Sequence, residues 1–195
     1  MLAAVILAAG ESSRMGSPKA LLTYQGRPFL EHLLEVTRHP SVGLTRVVLG
    51  ANAEDIGKHL RLDSAAVVVN PEWQRGQLSS VQAAVRSLPA GGTDGILLCL
   101  VDHPLITATL VGELVEKFYA SGKLIVLPTF KAKRGHPVIF SSRLYEELLT
   151  APLETGARSV VWAHSAEVLE VPTFEQGVVL NLNDPEALCG ALGKP

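Results

Sequence analysis

Between Leu7 and Lys19 the chain reads Leu-Ala-Ala-Gly-Glu-Ser-Ser-Arg-Met-Gly-Ser-Pro-Lys, combining two glycines, three serines and two cations in one short stretch. Glycines and serines make a loop whose backbone amides can turn toward phosphate oxygens. Arg14 can grip a phosphate bidentately, and Lys19 adds a compact point charge. The plainer reading is a solvated surface turn. Neither familiar phosphate loop fits: Gly10 and Gly16 are too far apart for GxGxxG, and Lys19 does not directly follow Gly16 as GxxxxGK[ST] requires. A second candidate is Asp102, in Leu100-Val101-Asp102-His103-Pro104 at the end of an apolar run. A carboxylate left at a strand end suits Mg²⁺, which takes hard oxygen ligands together with substrate phosphates. Its alternative is a cap for the next turn. A third is Asn181-Leu182-Asn183-Asp184-Pro185-Glu186, where Asp184 before Pro185 reads as a helix N-cap.

The elements that would carry these residues alternate. Strands are predicted over 3–7, 46–49, 66–69, 95–101, 124–127, 138–140, 168–171 and 178–180. Helices are predicted over 28–38, 53–60, 79–88, 108–120, 144–149, 157–163 and 185–192. The run 95–101 is the most continuous, as a central parallel strand covered on both faces demands. Strand–helix alternation of this spacing predicts an α/β fold. It would be a three-layer, doubly wound, mostly parallel Rossmann-like sheet, with ligands beyond the carboxyl ends of the strands. No linker or repeat interrupts residues 1–195, so one domain is expected.

Composition excludes other classes. The chain of 195 residues is 47% hydrophobic and 18% charged with a formal net charge of −2, which is globular and offers no basic face for nucleic acid. Cys99 and Cys189 have no metal-type spacing and suit a reducing cytosol. The apolar start, residues 1–9, is too short to span a bilayer and lacks a basic leader. A cytoplasmic protein without membrane contact is expected.

The string from Leu7 to Lys19 resembles the LAAGxSxRMGxxK signature of the MobA-like nucleotidyltransferases, most like the molybdenum cofactor cytidylyltransferase branch. Two further stretches agree with it. Asn70-Pro71-Glu72-Trp73-Gln74-Arg75-Gly76-Gln77-Leu78-Ser79-Ser80 is similar to the family's N-x-x-[WY]-x-x-G-x-x-S-S segment, and Arg134-Gly135-His136-Pro137-Val138 to its GHPV segment. The resemblance implies a Mg²⁺-dependent enzyme of the nucleotide-diphospho-sugar transferase fold type, moving a nucleotide from a nucleoside triphosphate to a phosphorylated acceptor. It places Leu7, Ala8, Ala9, Gly10, Ser12, Ser13, Arg14 and Lys19 at the nucleotide, with Asn70, Gly76, Ser79 and Ser80. Lys19, Arg14 and Asp102 would be catalytic, Asp102 and Asn183 would hold the metal, and His136 would meet the acceptor. Asn183 departs from the Asp usual in cytidylyl-transferring relatives, keeping an oxygen donor but losing a charge. Ser79 has an alternative as an N-cap. Ala9, in LAAG where guanylyl-transferring relatives have LAGG, points to CTP. The acceptor implied is the molybdopterin cofactor, with transient contact to a molybdoenzyme or its chaperone. A sugar phosphate or isoprenoid precursor as acceptor, and a non-catalytic nucleotide-binding maturation protein, stay open.

Overall fold

The computed structural model describes residues 1–13 and 15–183. In chain order the elements are β1 (Leu2–Ala8), β2 (Thr23–Tyr24), β3 (Arg27–Pro28), α1 (Phe29–Val36), β4 (Val42–Leu49), α2 (Ala53–His59), β5 (Val67–Val69) and α3 (Gln77–Arg86). These are followed by β6 (Gly95–Leu100), α4 (Ala108–Ser121), β7 (Ile125–Phe130), β8 (Lys133–Arg134), β9 (Val138–Ser141), α5 (Tyr145–Thr150), α6 (Arg158–Ala163) and β10 (Val168–Pro172).

The main sheet has the order β10-β7-β9-β6-β1-β4-β5, with β8 paired to β7, so the apolar run after Gly95 is indeed its centre. β1 pairs in parallel with β4 and β6, β4 with β5, and β7 with β10. The sheet is mixed, because β9 enters antiparallel between β6 and β7. Every residue of β1 and β6 is buried. Alternate residues point to opposite faces. On one face Leu2, Ile6, Leu97 and Cys99 pack with Leu30 and Leu33 of α1 and Leu110 and Leu114 of α4. On the other, Val5, Leu7, Ile96 and Leu98 pack with Leu78 and Val81 of α3, Leu148 of α5 and Val160 of α6. Burial on both faces is why these strands read as unbroken apolar runs rather than alternating ones. Cys99 lies within this core, where burial pushes its thiol up to about 12 and leaves it unreactive.

Local chemistry sets the ends of the elements. Thr107 caps α4 by accepting from the Leu110 amide at 3.2 Å, and Gly122 ends that helix in the left-handed conformation. Gln25 and Gly26, both at positive φ, make the two-residue turn of the small β2–β3 hairpin. The strand expected over residues 178–180 is not formed. A 3₁₀ turn, Gln176–Val178, stands there instead and leads into a strap lying over the sheet's carboxyl end. Its residues are apolar because they are covered: Val178 and Leu182 are fully buried without any sheet partner. The helix expected over 185–192, the Asp184 cap and Arg14 lie outside the described residues, as does Cys189. Among the described residues no helix is long and apolar enough to cross a membrane.

Candidate active site

The ends of β1 and β6 and the strap converge. Beyond β1, Ala9 and Gly10 lead into a loop braced at both sides. The Ala51 amide donates to the Ala9 carbonyl at 3.1 Å, and the Asn52 side-chain amide donates to the carbonyls of Gly10 and Glu11 at 3.3 and 3.0 Å. Ser12, at positive φ, accepts the Lys19 amide on its hydroxyl at 3.0 Å and so fixes where the Lys19 side chain departs. A methyl on Gly50 would come within 2.4 Å of the Ala9 carbonyl and 2.8 Å of Trp73 Cβ. Only glycine there lets the first loop and the Trp73 segment close on each other.

Beyond β6, Asp102 points back toward that loop, with its carboxylate 3.6 Å from Lys19 Nζ. The strap brings Asn183 to the same place: the Leu182 amide donates to the Asp102 carbonyl at 2.9 Å, and Lys19 Nζ donates to Asn183 Oδ1. Lys19, Asp102 and Asn183 thus form one partly buried cluster, drawn from residues far apart in sequence. Among the described residues there is no group of three or more His, Cys, Asp or Glu able to hold a metal. The oxygens of Asp102 and Asn183 already hold one cation, the Lys19 ammonium, and both are hard donors of the kind Mg²⁺ takes alongside nucleotide phosphates.

The cluster stands at the edge of a cavity of about 350 Å³, a size suited to a small ligand. Leu7, Ala8, Ala9, Gly10, Ser12, Lys19, Gly76, Ser80 and Asp102 line it. Ser13 lies in an adjoining cleft with Glu11, Ser12, Lys19 and Asn183. Asn70 and Ser79 are not on the wall. Asn70 is buried behind it and donates to the hydroxyls of Ser79 and Ser80 at 2.9 and 3.0 Å, while accepting the Glu72 amide at 3.0 Å. Ser79 donates to the Gly76 carbonyl at 2.7 Å from inside the first turn of α3, whose N-cap is Gly76 rather than Ser79. These residues brace the glycine loop. Trp73, Gln74 and Gln77 do line the cavity; their place in the N-x-x-[WY]-x-x-G-x-x-S-S segment was the signal that could have found them.

His136 lines a second cavity of about 490 Å³, which shares Gly76 and Gln77 with the first. Burial, and then the neighbouring His103, push its imidazole down to about 3. Burial likewise lowers His103, partly offset by Asp102. The two rings lie 5.1 Å apart, and each has a buried Nδ1 without a hydrogen-bond partner among the described residues. With only the protein's own groups around it, His136 is therefore a neutral ring near pH 7.

A mixed, mostly parallel sheet with helices on both faces, and a glycine-bearing loop, a lysine and an acid at its carboxyl edge, define a Rossmann-like fold of the nucleotide-diphospho-sugar transferase type. Comparison of sequences makes this specific: the MobA-like NTP transferase domain matches residues 4–168, and the chain belongs to that nucleotidyltransferase family. It is 34% identical over 161 residues to nicotine blue oxidoreductase of Paenarthrobacter nicotinovorans, covering 79% of this chain and 78% of that protein. It is 30% identical over 198 residues to molybdenum cofactor guanylyltransferase of Rhizobium meliloti, covering 95% and 88%. The bifunctional protein GlmU of Rhodopseudomonas palustris is 31% identical over 125 residues, which cover 63% of this chain but only 28% of that protein. The crystal structure of Rv0371c from Mycobacterium tuberculosis superposes with a TM-score of 0.81 at 26% identity, covering all of both chains.

Proposed function

We propose that the protein transfers a nucleoside monophosphate from a nucleoside triphosphate to a phosphorylated small molecule. A phosphate oxygen of the acceptor attacks the α-phosphorus, the bond to the bridging oxygen breaks, and pyrophosphate leaves with that oxygen. The observation that carries this reading is the convergence of Lys19, Asp102 and Asn183 at the mouth of a cavity walled by the Ala9–Ser12 loop. Positioning and charge neutralisation dominate such a transfer. Lys19 would leave its resting partners to stabilise charge on the phosphoryl oxygens, with Arg14 assigned to the triphosphate. Gly10, Ser12 and Ser13 would add loop donors, and Gly76 and Ser80 would face base or ribose. Mg²⁺, held by Asp102 and Asn183 together with nucleotide phosphates, would supply Lewis-acid polarisation. The second cavity, with His136 on its wall, would take the acceptor, for which molybdopterin is our reading.

For the base we favour CTP. Ala9 lines the cavity at 6% exposure, and the LAAG form of the loop, where guanylyl-transferring relatives have LAGG, is what supports this reading. GTP is the second reading, favoured by the likeness to the guanylyltransferase of Rhizobium meliloti. The likeness to nicotine blue oxidoreductase leaves an oxidoreductase activity as a third. Pyrophosphate release, measured with each of the four nucleoside triphosphates, molybdopterin and Mg²⁺, separates them. Release with CTP alone supports the proposal, and release with GTP alone moves it to the second reading. Absence of pyrophosphate release with all four overturns it.

A further inference from the structure

Trp162 is 61% exposed, an unusual position for so large an apolar side chain. It does not stand on a convex surface. It lines the second cavity together with Val161 and Arg158. Arg158 and Trp162 are four residues apart on α6, hence neighbours on one helical face about 6 Å apart along the axis. The opposite wall is apolar sheet: Leu98, Leu127, Val138 and Phe140, all buried.

The polar side chains on its wall are Gln77, Arg134, His136, Glu154, Thr155 and Arg158. Arg134 is already engaged by Glu170, with contacts of 2.8 and 2.7 Å. Arg158 has no ion-pair partner among the described residues. Glu154 and Thr155 offer acceptors at the rim. An apolar slot faced by an indole, with one uncommitted guanidinium a helical turn away, is complementary to a flat ring bearing an anion. Indole stacks on π-faces, and guanidinium pairs with phosphate. Because this cavity shares Gly76 and Gln77 with the first, an occupant's phosphate can meet a nucleotide lying there.

We propose that Trp162 and Arg158 are the specificity-determining pair of the acceptor site, selecting a planar heteroaromatic phosphate ester over a polyol phosphate. Trp162 stacks on the ring and Arg158 holds the phosphate. This rests on the transfer reading above only in taking the second cavity as the acceptor's.

The test is calorimetric binding of hydroxymethylpterin phosphate, its unphosphorylated parent and ribitol phosphate to the wild-type protein and to Trp162→Ala, Trp162→Phe and Arg158→Gln, each checked by thermal melting. Hydroxymethylpterin phosphate should bind and ribitol phosphate should not. Trp162→Ala should weaken the pterin ester about tenfold, a typical loss for one stacked ring, and Trp162→Phe should restore most of it. Arg158→Gln should weaken the ester but leave the unphosphorylated parent unchanged. Equal binding of ribitol phosphate, indifference to Trp162→Ala, or no binding of the pterin ester overturns the proposal. The protein has two tryptophans, and Trp73 lines the first cavity, so quenching in Trp162→Phe reports nucleotide binding alone. Nucleotide quenching without pterin binding sinks the acceptor pair and spares the transfer reading; no nucleotide quenching sinks the latter.

Discussion

Replacing Lys19 by Ala removes one group with two jobs, and the structure allows their sizes to be compared. The Lys19 and Asp102 side chains are only 15% and 19% exposed and their charges are 3.6 Å apart. Their gross attraction is about 4–5 kcal/mol at an effective dielectric constant of ~20. Desolvation offsets most of this, so with the Asn183 hydrogen bond the net loss of stability should be roughly 1–2 kcal/mol. For a chain of this size that lowers Tm by about 2–8 °C, within the usual reserve of ~5–15 kcal/mol, so the variant stays folded. The Lys19 side chain is thus partly buried in the cluster, unlike a cation on a solvated surface turn. The catalytic loss should be larger: about 100-fold in kcat/KM, or ~2.7 kcal/mol, as when one preorganised donor to a developing charge is deleted. Pyrophosphate release and thermal melting of the same preparation measure both. A double-mutant cycle with Asp102→Asn should show coupling of roughly 0.5–3 kcal/mol in stability. Activity within threefold of wild type would remove Lys19 from the reaction. A Tm loss beyond 10 °C with unchanged activity per folded molecule would make it a structural clip.

Asn183→Asp adds a second carboxylate beside Asp102 and should lower the Mg²⁺ concentration for half-maximal activity roughly five- to tenfold, read from a metal titration. Gly50→Ala forces the Ala9 carbonyl and Trp73 apart, since the new methyl meets backbone at 2.4 Å; it should cost about 1–3 kcal/mol and raise KM for the nucleotide more than it lowers kcat. The folded His136 imidazole is held down to about 3 against an ordinary 6.5, so above pH 6.5 it is neutral folded or unfolded and adds no pH dependence. As pH falls from 6.5 toward 3 the unfolded chain takes a proton that the folded ring refuses, and stability drops by up to ~1.4 kcal/mol per unit. Urea midpoints at pH 7 and pH 5 should therefore fall less in His136→Asn than in wild type, and an equal fall would show that another group governs this limb.

β1 and β6 were legible because burial on both faces leaves no polar residue in them to blur the pattern. The same rule misled at residues 178–180, where Val178, Val179 and Leu180 are apolar because a strap is packed over loops rather than because a strand is formed. Gly177 lies so close to Leu105 that a methyl on it would meet that carbonyl at 2.2 Å, and the Val178 carbonyl accepts the His136 amide at 2.8 Å. Neither contact leaves a periodic trace. The antiparallel entry of β9 was equally hidden, since a run of three apolar residues, Val138 to Phe140, carries no sign of direction. At the site, residue types were readable and roles were not. Asn70 and Ser79 look like ligand-binding groups in a motif, yet their hydrogen bonds point inward and hold the loop. The meeting of Lys19 with Asn183 depends on the strap's path, which only the fold defines.

That strap also has a consequence in time. Lys19 and Asn183 are 164 positions apart, and the segment carrying Asn183 is laid across strand ends that are already complete. At ~5–20 residues per second, roughly 10–30 seconds of synthesis separate the two side chains. The Ala9–Ser12 loop, β1, β4, β5 and β6 can be assembled long before Asn183 arrives. A nascent chain would therefore hold the glycine loop and Asp102 without the group that completes their cation cluster. The completion of this cluster therefore waits on Asn183, at the end of the described residues.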